Sequence, residues 1–123
     1  MPSPHAISLF RTATDYETFP AGTTVFQHGD APTTMFVVKS GEVDLFINGL
    51  LVATLGEGEI FGEMALIDKS ARSADAVCKT DCELVPITES RFTFLVQQTP
   101  FFAIQVMRII ADRLRAMNER AGA

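Results

Sequence analysis

Residues 42–55 read Glu42-Val43-Asp44-Leu45-Phe46-Ile47-Asn48-Gly49-Leu50-Leu51-Val52-Ala53-Thr54-Leu55. Val43, Leu45 and Ile47 alternate with Glu42, Asp44 and Phe46. Successive side chains of a strand leave opposite faces, so a period of two marks a half-buried strand. Asn48-Gly49 follows directly, and Leu50 to Leu55 forms a second run. A two-residue Asn-Gly connection suits a turn whose central residues both take positive φ, which predicts a β-hairpin.

Working outward, the same vocabulary continues on both sides. Upstream, Thr23-Thr24-Val25-Phe26 is β-branched and aromatic and reads as a strand. Gly29-Asp30-Ala31-Pro32 breaks it. Met35 to Val38 is a short apolar run between breakers, a buried strand, and Ser40-Gly41 turns the chain again. Pro20-Ala21-Gly22 is a turn, and Ala6 to Arg11 predicts a short helix. Downstream, Gly56-Glu57-Gly58 ends the hairpin, and Ala74–Val77 and Cys82–Ile87 are further strands. The period then changes. Thr88 caps a helix from Glu89 to about Gln97. Thr99-Pro100 starts another, with Pro at the first helical position, where its missing N–H costs nothing. That helix runs from Pro100 to about Arg120, with Ala121-Gly122-Ala123 expected to fray beyond it. Ala103, Met107, Ile110, Leu114 and Met117 follow heptad spacing, and Phe102, Val106 and Ile109 widen the apolar face. Short strands followed by helices predict a mainly β fold with α: an antiparallel, jelly-roll-like β-roll. It would carry a short N-terminal helix, a one-turn helix and two C-terminal helices. Residues 1–123 read as a single domain.

Composition narrows the function. The chain has 123 residues, 47% of them hydrophobic, enough for one core without staples. Its net charge is −5 and its pI about 4.9. A nucleic-acid surface needs clustered Lys and Arg. Here Arg108, Arg113, Arg115 and Arg120 are interleaved with Asp112 and Glu119, which is the pattern of a solvated helix face. No nucleic-acid partner is expected. Cys78 and Cys82 are too few for a disulfide framework, and His5 and His28 lie far from both. Two reduced thiols in or beside a strand, and no metal, are expected. A metal enzyme of the cupin type would need more histidines, and no nucleophile–base pair is visible, so no catalysis is expected. The N-terminus lacks a signal-peptide pattern, and no run reaches the roughly 18 apolar residues of a membrane span. A cytoplasmic address follows.

The chemistry concentrates in Gly58-Glu59-Ile60-Phe61-Gly62-Glu63-Met64-Ala65-Leu66-Ile67 and Asp68-Lys69-Ser70-Ala71-Arg72-Ser73-Ala74. Gly62 can adopt a backbone conformation closed to other residues and lets a ligand approach the main chain. Glu63 to Ile67 suits one helical turn, whose first N–H groups lack internal partners and favour an anion. Arg72 can return toward that turn, and a guanidinium matches phosphate with two parallel hydrogen bonds. Glu63 would repel a lone phosphate. It fits a ligand that also presents a hydroxyl donor, as a cyclic 3′,5′-nucleotide does through its 2′-OH. A deoxyribose would leave the carboxylate unpaired, costing about 1–3 kcal/mol or more.

Phe61-Gly62-Glu63-Met64-Ala65-Leu66 with Ala71-Arg72-Ser73-Ala74 resembles the phosphate-binding cassette of the cyclic-nucleotide-binding domain family. That family includes the catabolite activator and protein kinase A regulatory subunit types. The resemblance extends through Gly29-Asp30, Met35-Phe36-Val37-Val38 and Ser40-Gly41-Glu42-Val43, and downstream through Cys82-Glu83-Leu84 and the closing helices. It implies a ligand segment of Phe61, Gly62, Glu63, Met64 and Ala65. Within it, Gly62 and Ala65 give backbone contacts and Glu63 accepts from the 2′-OH. It implies Arg72 as partner of the equatorial phosphate oxygen and Ser73 as a further donor. It implies no cofactor but a ligand, cAMP or cGMP. It implies that the last helix, about 100–120, is the lid over the base, a seam for homodimers, and the reporter to a downstream protein. Ala71 stands where the family often has Pro. Met117 and Asn118 stand where the catabolite activator type reads adenine with hydroxyl residues. Asn118 can hydrogen-bond a base edge, Met117 can pack on it, and Ser73 suits either purine, so the base stays open. The alternative is a ligand-free interaction or dimerisation module of the same fold.

Overall fold

The computed structural model describes residues 6–120, apart from the side chains of Met117 and Arg120. His5 and the end at Ala121–Ala123 lie outside the described residues, as does any packing by Met117. The chain divides into two units, Met1–Glu89 and Ser90–Ala123.

The first unit is two antiparallel sheets. Its strands are β1 (Glu17–Phe19), β2 (Thr24–Phe26), β3 (Met35–Ser40), β4 (Val43–Ile47), β5 (Leu50–Leu55), β6 (Ile60–Phe61), β7 (Asp75–Cys78) and β8 (Cys82–Ile87), with the one-turn helix α1 (Met64–Ile67) between β6 and β7. One sheet has the order β1-β8-β3-β6 and the other β2-β7-β4-β5. The predicted hairpin is present: Ile47 pairs with Leu50, and Asn48 and Gly49 have φ of 53° and 77°. Both sheets contribute to one core, with Val38, Phe61, Cys82 and Leu84 from the first and Val43, Leu55, Ala76 and Cys78 from the second. Met35, Val37, Val85 and Ile87 are also buried. They alternate with the core residues of their strands, so the first sheet is covered on both faces. That explains why β3 reads as an uninterrupted apolar run.

Two strands carry too little pattern to be read in advance. β1 has three residues and no buried side chain, and β6 has two. The helix expected over Ala6–Arg11 is a single 3-10 turn, Ser8–Phe10. Ile7 is extended, and its amide donates to the Gly58 carbonyl at 2.7 Å, which holds the preceding backbone out of a helix.

In the second unit, α2 (Glu89–Gln98) and α3 (Pro100–Arg120) bend by 118° about Thr99. The Thr99 amide donates to Leu95, and the Phe102 amide donates to Thr99 at 2.9 Å, so one helix ends and the next begins at that residue. Phe92 and Phe102 pack at 5.6 Å between ring centroids. The buried residues of α3 are Phe102, Val106 and Ile109. At the heptad positions, Met107 and Leu114 are exposed, and Ala103 and Ile110 are half-buried. Among the described residues no single helix is long and apolar enough to cross a membrane.

Candidate functional site

The site begins where β6 ends. Gly62 has φ of +74°, the left-handed region that suits glycine. A Cβ at Gly62 would also lie 2.7 Å from Arg72 Nη1, so the missing side chain makes room for the arginine. Glu63 occupies the cap of α1, and the Ala65 and Leu66 amides donate to the Gly62 and Glu63 carbonyls at 3.2 and 3.0 Å. Those two amides therefore already serve the turn, and the positive charge of the site is that of Arg72. Lys69, at φ of +56°, donates its amide to Met64 and reverses the chain. Asp68 then accepts from the Ser70 hydroxyl and amide, which hold its carboxyl below the usual range.

Arg72 is buried, and so is Glu63. The segment between β2 and β3 grips the arginine from several sides. Its amide donates to Asp30 at 3.0 Å, and its carbonyl accepts from Gly29 at 2.7 Å. Nη1 donates to the Gly62 carbonyl at 3.1 Å, and Nη2 donates to the Thr34 carbonyl. The guanidinium carbon lies 4.1 Å from the Phe26 ring centroid. The Nε–H is buried without an acceptor. Burial pulls the Arg72 pKa below its ordinary value, while the Asp30 and Glu63 carboxylates oppose that shift. A buried cation, a buried carboxylate near it and one N–H lacking an acceptor can bind a group that is both anionic and hydroxyl-bearing.

Of the residues singled out from sequence, the fold brings Gly62, Glu63, Ala65 and Arg72 together. Phe61 turns into the core and stacks on Phe36 at 5.3 Å, so its side chain supports the segment from within. Met64 is exposed at the start of α1, and Ser73 is exposed beside Arg72. Asn118 is exposed on α3, in the second unit. Phe26, Asp30 and Thr34 are partners of Arg72 that the sequence reading did not assign. Nothing local signals them, since they lie 46, 42 and 38 positions away.

The profile of the cyclic nucleotide-binding domain matches residues 16–99. The chain belongs to the cyclic nucleotide-binding domain family. Among relatives of this cyclic nucleotide-binding domain, the cyclic AMP receptor protein of Thermus thermophilus is 34% identical over 118 residues, covering 92% of this chain and 55% of the receptor. The chain thus spans about half the length of that relative. Among solved structures, the Thermus thermophilus catabolite activator protein matches with a TM-score of 0.79 and 32% identity, covering 96% of this chain and 58% of that one. A protein from a cyclic-GMP-dependent signalling pathway that regulates bacterial phytopathogenesis matches with a TM-score of 0.77 and 33% identity, covering 90% and 98%. Among the described residues there is no group of three or more His, Cys, Asp or Glu that could hold a metal ion.

Proposed function

We propose that this domain receives a cyclic nucleotide monophosphate, cAMP or cGMP, and signals through α3. The observation that carries the reading is the buried Arg72 with an N–H left without an acceptor, near the buried Glu63. The phosphate accepts from the guanidinium and satisfies that donor. Glu63 accepts from the ribose 2′-OH, the sugar hydroxyl a cyclic 3′,5′-phosphate leaves free. Gly62 and Ala65 lie against the sugar and phosphate, Ser73 adds a donor, and Phe61 and Met64 frame the segment. Asn118 reads the base. Ligand favours one state of α3 over another, and that difference is what a downstream protein senses. No catalytic step is part of this role, and its setting is the cytoplasm.

Titration calorimetry with cAMP and cGMP, side by side, tests the reading and names the base. Arg72→Ala should weaken binding by about 2–5 kcal/mol, the scale for breaking a buried charged pair. Unchanged affinity would remove Arg72 as the phosphate ligand. The exposed Met107 and Leu114 favour a second role, a homodimer seam along α3, or an interaction module working without ligand. Sedimentation with and without nucleotide separates these: self-association independent of nucleotide, without calorimetric binding, supports the module.

A further inference from the structure

Two in-plane hydrogen bonds, to the Gly62 and Thr34 carbonyls, hold the ends of the Arg72 guanidinium. Phe26 occupies its face, with the guanidinium carbon 4.1 Å from the ring centroid. The ring is itself fixed: it tilts on Phe61 at 5.9 Å and 39°, and Phe61 stacks on Phe36 at 5.3 Å and 20°. A Cβ at Gly62 would meet Phe26 Cε2 at 3.4 Å as well as Arg72 Nη1, so ring, glycine and guanidinium share one confined space.

The negative face of an aromatic ring attracts a delocalised cation without accepting any of its N–H groups. A carboxylate in the same place would occupy donors and compete with an incoming anion. We propose that Phe26 is a positioning residue for the phosphate: its ring sets the plane of the Arg72 guanidinium and keeps the Nε edge available to the ligand. This rests on the cyclic-nucleotide reading. A leucine at position 26 would fill much of the volume and offer no such face.

The test is calorimetry with cAMP and cGMP on the parent chain, Phe26→Leu, Phe26→Tyr and Phe36→Leu, each with a melting curve. Phe26→Leu should weaken binding roughly 3- to 30-fold, the range spanned by exposed to desolvated cation–π contacts. Phe26→Tyr, which keeps the ring, should stay within about twofold. Phe36→Leu removes an aromatic from the same stack but not from the arginine, so it should lower the melting temperature and leave affinity within about twofold. Should Phe26→Leu not fold, Phe26→Met takes its place with the same expectation. Parent-like affinity in the aliphatic variants overturns the inference. So does equal weakening by Phe36→Leu, which would make the effect one of packing. A parent chain that binds neither nucleotide removes the functional reading itself, and the inference with it.

Discussion

Gly62 combines two demands at one position: a φ of +74° and a Cβ site 2.7 Å from Arg72 Nη1. The left-handed conformation costs a side-chain-bearing residue about 1–2 kcal/mol, and the displaced guanidinium adds to that. Gly62→Ala should therefore destabilise the fold by about 1–3 kcal/mol in urea unfolding and lower ligand affinity too. An alanine variant as stable as its parent would refute this. Cys78 makes a prediction in pH. Burial, with the neighbouring Cys82 thiol, pushes the Cys78 pKa from 9.0 up to about 12. The folded state therefore keeps a proton that the unfolded chain releases above pH 9. This contribution is complete below the unfolded pKa and is lost as pH rises toward the folded one, at about 1.4 kcal/mol per unit inside that window. Between about pH 8 and pH 10.5 the parent should lose about 2 kcal/mol more stability than Cys78→Ala. Equal losses would contradict the assignment. Both thiols are buried, Cys78 at the end of β7 and Cys82 at the start of β8. That Arg72 returns to the Gly62-Glu63 turn was legible because a glycine there leaves room for a guanidinium a few residues on. Phe26 was not, because a phenylalanine at a strand end looks like any core residue until the fold brings the arginine over it.

Elements were readable in proportion to their length. The β4–β5 hairpin announced itself through alternation and Asn48-Gly49, yet its inward face ends early. Val43 is buried, Leu45 half-buried, and Ile47 is 39% exposed beside Leu50 at 70%. Alternation marks which side chains share a face but not how far the opposing sheet extends. A register shift between Leu45 and Phe46, with Val52 as the extra residue opposite, also lies beyond what alternation reveals. The same lesson holds in α3, whose apolar face reads in sequence as the heptad positions widened by Phe102, Val106 and Ile109. Its buried stripe is Phe102, Val106 and Ile109, while Met107 is 59% exposed. Phe102→Ala should cost about 3–5 kcal/mol as a core truncation, and Met107→Gln should stay within about 0.5 kcal/mol. Thermal unfolding of the two variants checks the assignment; a reversed order of costs would mean that the stripes have been exchanged.

For the whole molecule, ligand and stability are linked. A nucleotide at 100 times its dissociation constant adds about 2.7 kcal/mol to the folded state. At this chain length that is roughly 8–16 °C in melting temperature. Curves that do not move with millimolar cAMP or cGMP would count against the proposed role. Strands followed by helices were enough to predict a β-roll. The order of strands within each sheet was not readable, since Glu17 pairs with Leu84 and Thr24 with Val77 across long stretches of chain. That first pairing has a further consequence. Strands β1 and β8 are bonded neighbours, so the first and last strands of the paired sheets lie side by side, about 5 Å apart. Probes attached at Glu17 and Leu84 would therefore stand one strand spacing apart, and their contact would report directly on whether the unit stays closed.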